Sequence, residues 1–317
     1  MTNQMKKVVA VTLNPALDLT GSLASLQTGS VNLIDSSDFH PAGKGVNVAK
    51  VLSDLGAQVT VTGLLGEDNQ EAFNQLFNEL GVNDQFVRVP GATRINVKLV
   101  ENSGQVTDLN FPGIYVTDAD IARFEQTLFL LAESHDVFVI AGSLPKGISP
   151  ELCASWVEKL GQLGKQVFFD SSKAALAAGL DAQPWLVKPN DEELGDFLGK
   201  ELTTQKQIIE AAETLAQKKI SNVVISLGAE GVLWLNQEGW LASKPPKMQV
   251  VSTVGAGDTL VAGLCWGHLN GWNKETSLRF ATALSALAVS QVGVGAEDHD
   301  GIKQVEQQVQ ITTVCKG

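Results

Sequence analysis

Short runs of β-branched and aliphatic residues alternate along this chain with longer windows in which apolar residues recur three and four apart. The first pattern predicts buried strands and the second amphipathic helices, so their alternation predicts an α/β protein with a mostly parallel sheet covered by helices. Candidate strands are Val8 to Leu13, Val59 to Thr62, Val137 to Ala141, Val167 to Asp170, Leu186 to Lys188 and Val223 to Leu227. Two regions break the rhythm. Leu17 to Phe39 and Arg94 to Phe111 read as polar-alternating, hairpin-like strands with no helix between them, which predicts a small separate sheet acting as a lid. In the second region Ile95, Val97 and Leu99 share one strand face, and Arg94, Asn96 and Lys98 share the other. Two cations flanking an amide suit a sugar phosphate, although the solvated face of a two-sided sheet is the plainer reading.

The most chemical stretch is Ser252 to Thr259, STVGAGDT. A strand-like run (Val250, Val251, Val254) leads into a glycine-rich turn, and a helix pattern is expected from Asp258 through Leu260, Val261, Leu264 and Cys265. Gly255 and Gly257 leave bare backbone at the first turn, where unpaired N–H groups and the helix dipole favour an anion. A carboxylate beside an anion hole suits phosphoryl transfer: the hole meets charge on the moving group and Asp258 accepts a hydroxyl proton. The same octapeptide also suits a tight turn with an acidic residue at a helix start.

Other segments repeat the theme of polar groups where a strand gives way to a helix. His40 to Asn47, HPAGKGVN, opens a helix ending near Gly56, with Lys44 and Asn47 as donors. It matches neither a P-loop nor a dinucleotide fingerprint, because Gly45 follows Lys44 and Val48 stands where the last glycine is needed. Asn190 and Glu193 form a capping-box pattern, which explains them structurally; the functional alternative puts Lys188 on phosphate and Glu193 on magnesium through water. Ser226 to Gly231, SLGAEG, reads as a glycine-rich hairpin on which a nucleotide could lie. Asp18 suits either sugar hydroxyls or a turn. Gly142-Ser143 and Asp170-Ser-Ser-Lys173 each follow a strand, at the end where open α/β sheets bind ligands. The tryptophans read as packing residues.

Composition narrows the classes. With 23 basic and 35 acidic residues the net charge is −12, without like-charge blocks, which argues against nucleic acid and requires local groups to meet any anionic substrate. Cys153, Cys265 and Cys315 are far apart, and His40, His135, His268 and His299 lack metal spacing, so neither disulfides nor zinc are expected. MTNQMKK runs straight into strand-like VVAVTLN and no run approaches a membrane span, so a cytoplasmic protein is expected. There is no internal repeat or long linker, and residues 1–317 read as one unit, with the lid formed by about 14–39 and 90–112.

From Thr12 to about Gly295 these motifs, in order, resemble the PfkB, or ribokinase-like, carbohydrate kinases. AGKGVN resembles the first family signature and VSTVGAGDT the second, while KPNDEE and SLGAEG resemble the magnesium-linked and nucleotide-binding elements. TLNPALDLT, TRINVKL and LVKPN resemble the branch of the family whose acceptor is fructose 1-phosphate. The resemblance implies a three-layer α/β/α core, a β-lid serving as a homodimer clasp, ATP with Mg²⁺, and transfer to the C6 hydroxyl of that phosphorylated ketohexose. A monovalent cation is a further candidate cofactor. It implies Asp258 as base and the amides of Gly255, Ala256 and Gly257 as anion hole. Asp18, Gly43, Lys44, Asn47, Arg94, Asn96, Lys98 and Ser143 would meet the sugar phosphate. Lys188, Asn190, Ser226, Gly228, Glu230, Gly231, Ser252 and Thr253 would line the nucleotide site, with Glu193 serving magnesium through water. Lys173 stands where some relatives carry arginine, a point charge replacing a planar fork. Tagatose 6-phosphate or fructose 6-phosphate as acceptor, and a non-catalytic sugar-phosphate sensor, are the competing readings.

Overall fold

The computed structural model describes residues 6–291 and 293–314; Met1 to Met5 and Cys315 lie outside the described residues. The chain opens with β1 (Lys7–Thr12), β2 (Ala16–Leu23), β3 (Ser36–Ala42), α1 (Lys44–Asp54), β4 (Gln58–Gly66), α2 (Glu71–Leu80) and β5 (Asn83–Val89). It continues through β6 (Arg94–Glu101), β7 (Val106–Leu109), α3 (Asp118–Ala132), β8 (Val137–Ala141), α4 (Pro150–Gln162), β9 (Gln166–Asp170) and α5 (Lys173–Asp181). Then follow β10 (Leu186–Val187), α6 (Asp191–Leu198), α7 (Gln205–Ala216), β11 (Asn222–Ser226), β12 (Val232–Asn236) and β13 (Gly239–Lys244). The chain closes with α8 (Ala256–Leu269), α9 (Lys274–Ala288), α10 (His299–Glu306) and β14 (Gln310–Thr313).

Ten strands form one sheet in the order β14-β13-β12-β11-β10-β9-β8-β1-β4-β5. The run from β11 to β5 is parallel and the β12, β13 and β14 edge is antiparallel. Alternation in β1 explains why both faces must be covered. Val8 and Ala10 join the core beneath α1, α2, α8 and α9, while Val9 and Val11 join the opposite core with Phe124, Phe138 and Trp156. Strands of two to six residues deliver the carboxyl ends of β1, β8, β9, β10 and β11 to one edge, where such sheets bind ligands.

The second sheet, ordered β3-β2-β6-β7, contains both regions that broke the α/β rhythm. β2 and β6 pair in parallel with Asp18 opposite Asn96, and each has an antiparallel neighbour, β3 and β7. Its polarity is the reverse of a solvated outer face. Asp18 and Asn96 are buried, whereas Val31, Leu33, Phe39, Ile95 and Phe111 are exposed, Val31 and Leu33 by 91% and 84%.

The strand expected at Val250, Val251 and Val254 is absent: these residues lie in a loop and all three side chains are exposed. β-Branched residues favour strands only where a pleated surface packs against them, and here Pro245 and Pro246 precede the run while the Val289 carbonyl takes the amides of Val251 and Ser252. α8 also starts earlier than expected, at Ala256, because Gly255 caps it in the left-handed region at φ 78°. A Cβ at Gly255 would collide with Val294, so only glycine fits. The α1 boundary is as expected, with Gly56 at φ 90° just beyond its Leu55 cap.

Candidate active site

Two helix N-termini converge over the carboxyl edge of the large sheet. α1 starts after Gly43, and its first helical bond runs from the Asn47 N–H to the Gly43 carbonyl at 2.8 Å. α8 starts after Gly255, with its first helical bond from the Thr259 N–H to the Gly255 carbonyl, also 2.8 Å. The amides ahead of each such bond have no acceptor in their own helix, which makes both ends attractive to anions. Asn47 joins them: its Nδ2 donates to Asp258 Oδ2 at 2.7 Å.

Asp258 is buried at the third position of α8, and its pKa is raised to about 6. Burial is the main cause, with repulsion from Asp170 adding to it; Lys44, the Asn47 hydrogen bond and Lys188 pull the other way. A carboxylate so placed is ionised at neutral pH yet more basic than an exposed one, as a general base requires.

Asp170, at the end of β9, ties together two cations from different elements. Its Oδ2 accepts from Lys44 Nζ at 3.2 Å and its Oδ1 lies 3.4 Å from Lys188 Nζ. The second pair is an ion pair without hydrogen-bond geometry, so the buried Oδ1 has no hydrogen-bond partner. Burial alone would lower the Lys44 pKa, but Asp170, then Asp258 and Glu193, outweigh it and hold the ammonium firmly charged. The sequence reading placed Asp170 at a ligand-binding strand end without giving it a role. Only the fold shows that a residue 126 positions away supplies its partner.

Beside this cluster lies a cavity of about 840 Å³, lined by Lys44, Lys188, Asn190, Glu193, Ser226, Gly228, Glu230, Gly231, Thr253, Gly255, Ala256, Gly257 and Asp258 among others. Its volume suits a nucleotide-sized ligand. Asn190 and Glu193 make the full capping box, Glu193 N–H to Asn190 Oδ1 at 2.6 Å and Asn190 N–H to Glu193 Oε2 at 3.0 Å. Glu230 is exposed and pairs with Lys244 at 2.9 Å. Ser252 is not part of the lining; its Oγ accepts from the Val254 amide.

The remaining candidates gather beyond the cavity, beneath the small sheet. Asp18 is held on both oxygens, by Asn96 Nδ2 at 3.1 Å and Lys98 Nζ at 2.9 Å. Lys98 also reaches Asp108 at 3.5 Å, so its charge is balanced inside the sheet. Arg94 differs. Its guanidinium donates to the carbonyls of Pro15, Phe111 and Asn14 and to Ser143 Oγ, all neutral acceptors. Asn14, unremarked in the sequence, also donates to Ser143 Oγ, at 3.1 Å. The bare Gly142 backbone lies against the Lys44 side chain, and this contact joins the two halves of the site. Lys173 is exposed at the start of α5. Cys153 and Cys265 are buried and unpaired, and no cluster of three or more His, Cys, Asp or Glu able to hold a metal occurs among the described residues. Nor is any described helix long and apolar enough to cross a membrane.

The model of the pfkB family carbohydrate kinases matches residues 5–300. The chain is 66% identical over 309 residues to a 1-phosphofructokinase of Vibrio cholerae, covering 98% of both chains. It is 52% identical over 293 residues to a 1-phosphofructokinase of Escherichia coli, covering 92% of this chain and 94% of that one. Among solved structures, a possible 1-phosphofructokinase of Thermotoga maritima superposes with a TM-score of 0.88 at 28% identity, covering 98% of this chain and all of that one (100%). Phosphofructokinase-2 of Escherichia coli in complex with fructose-6-phosphate superposes with a TM-score of 0.86 at 27% identity, covering 95% and 98%. The match over nearly the whole length, with the identity to these relatives, shows that the chain belongs to the pfkB family of carbohydrate kinases.

Proposed function

We propose that this chain transfers the γ-phosphoryl group of ATP to the C6 hydroxyl of fructose 1-phosphate, giving fructose 1,6-bisphosphate and ADP. The observation that carries the chemistry is Asp258, buried at the mouth of α8 and fixed by Asn47 from α1. The acceptor is supported by the 66% and 52% identical relatives, both 1-phosphofructokinases.

The triphosphate lies along the cavity with its terminal group at the amides of Gly255, Ala256 and Gly257 and near Lys188. Asp258 takes the proton as the hydroxyl attacks in line, and the amides meet charge on the transferred group. Arg94, Ser143 and Lys44 hold the sugar phosphate, while Asp18, oriented by Asn96 and Lys98, accepts from sugar hydroxyls. The residues fit a hydrated Mg²⁺ carried on the triphosphate: Glu193, in the cavity wall, would meet it through water. Bound there, Mg²⁺ would neutralise charge on the phosphates.

Residues 1–317 work as one kinase domain, with 14–39 and 90–112 closing over the sugar to exclude water, a competing acceptor. The exposed apolar residues of this lid, Val31 and Leu33 in the β2–β3 connection, Phe39 and Ile95 on the strands and Phe111 after β7, are covered by a second copy of the chain. The decisive test measures ADP release with Mg·ATP against fructose 1-phosphate, fructose 6-phosphate, tagatose 6-phosphate and fructose. Selective turnover of fructose 1-phosphate is expected. Preference for another sugar overturns the acceptor, and binding without turnover makes the chain a sensor.

A further inference from the structure

A second cavity, about 740 Å³, opens at the opposite end of the large sheet. It is bounded by the start of β11, the end of β12, the C-terminal half of α8 and the first turn of α9. Asp258 sits in the first turn of α8 and His268 in its last, ten residues apart, which at the helical rise is roughly 15 Å. Four rings line it, those of Trp185, Trp234, Trp272 and His268, beside polar residues such as Asn222 and Asn236. Trp185 and His268 pack against each other in a tilted arrangement, centroids 4.4 Å apart and planes inclined by 49°.

One lining group is out of place in such surroundings. Lys274 is 5% exposed, and its Nζ donates to Asn236 Oδ1 at 2.8 Å and to the Gly239 carbonyl at 2.6 Å, both neutral. A third donor remains, with the Trp234 ring 5.5 Å away. No carboxylate among the described residues lies within ion-pair distance of it. The nearest acidic influence is Glu238, which is exposed at the rim, and the other titratable groups of the lining are His268, held by Gln166, and the exposed Lys219. Burial accordingly lowers the Lys274 pKa to about 8, with Glu238 partly opposing it. An ammonium buried without a counter-charge is unfavourable, and an anion bound beside it would restore the balance.

We infer that this cavity is a binding site for a small aromatic carboxylate, its ring against the tryptophan wall and its carboxylate on Lys274. The volume admits one or two fused rings. Neither ATP nor a sugar phosphate fits the description, since the lining offers aromatic rings and a single buried cation.

The test uses the full-length protein with 2-naphthoate and, as its neutral isostere, 2-naphthamide, followed through the tryptophan indole N–H signals by NMR. Naphthoate should shift the signals of Trp185, Trp234 and Trp272 and leave that of Trp156, which is bonded to Glu125 in the other core, in place. Lys274→Met, folded as judged by retained kinase turnover, should weaken naphthoate at least tenfold and leave naphthamide unchanged. In the wild type, naphthoate affinity should fall as pH rises through about 8, with the loss of the Lys274 proton. Equal affinity for acid and amide, shifts confined to other tryptophans, or naphthoate binding indifferent to both Lys274→Met and pH would each overturn the inference. If Lys274→Met does not fold, the acid–amide comparison and the pH series on the wild type decide alone.

Discussion

Asp258→Asn should abolish most of the activity and make the protein more stable, and the second effect can be worked from the structure. The folded carboxyl has a pKa of about 6 against an ordinary 3.8. Between those values the native state holds a proton that the unfolded chain has released, so stability falls as pH rises through this window and levels off above it. At about pH 7.5 the penalty is the full shift, on the order of 3 kcal/mol; at about pH 4.5 only ~1 kcal/mol of it is felt. Asparagine keeps the oxygen that Asn47 bonds but carries no charge, so the variant escapes the penalty at both pH values. The stability gap between variant and wild type should therefore widen by about 2 kcal/mol from acid to neutral pH. For 317 residues this is a melting-temperature difference of roughly 3 °C. Thermal unfolding of both proteins without ligands at the two pH values reads it, because titrating groups that do not interact with Asp258 cancel in the comparison. ADP release should fall by about 10² to 10⁴. A gap that does not change with pH would refute the electrostatic account of the pocket, and near wild-type turnover would refute the base.

Other consequences are as definite. The turnover number should rise about tenfold per pH unit below roughly pH 6 as Asp258 ionises, and saturating both substrates separates this from titration of their own phosphates; a flat profile from about pH 5 to 7 would remove the base assignment. Arg94→Ala should raise KM for the sugar phosphate about ten- to a hundredfold with little change in KM for ATP, because its guanidinium lies beyond the nucleotide cavity; an unchanged sugar KM would count against the phosphate contact. Gly255→Ala places a side chain at φ 78° against Val294 and should cost about 1–3 kcal/mol of stability, read by thermal unfolding, together with turnover, since the α8 amides must shift. Leu33→Glu should convert a dimer to monomer in sedimentation velocity, and a wild type that is already monomeric would dispose of the clasp.

The alternation of strand runs and helical windows made the parallel sheet legible, because burial on both faces leaves β-branched runs that nothing else explains. The glycine turns at Gly43 and Gly255 were legible for a similar reason: bare backbone before an apolar helix is a local signal. What failed was also local. Val250, Val251 and Val254 look like a strand in isolation, but they have no sheet neighbour, so their propensity goes unused. Long-range pairing was invisible. Lys98 read as a free cation and proves to be bound to Asp18 and Asp108; Asp170 read as a strand end and proves to join Lys44 to Lys188. The face carrying Arg94, Asn96 and Lys98 could be recognised from alternation, yet alternation does not say which face points inward. Here the polar one does, and the apolar one is left outside.

That inversion bears on how a chain of net charge −12 accommodates two polyanions. At physiological ionic strength charges beyond about 8 Å are largely screened, so the acidic exterior matters less than the groups in contact. In the nucleotide half, Lys44 and Lys188 share Asp170, and Asp258 adds a second carboxylate, so side-chain cations and anions nearly cancel there. Anion affinity in that half must then owe much to the first-turn amides of α8, which carry partial positive charge. In the sugar half, Lys98 is balanced by Asp18 and Asp108, leaving Arg94 as the cation whose partners are all neutral. On the roles proposed above, phosphate is met by one guanidinium, two helix ends and the paired lysines. The same lysines lower the Asp258 pKa against its burial and so help to keep it ionised at neutral pH, the condition for its acting as a base.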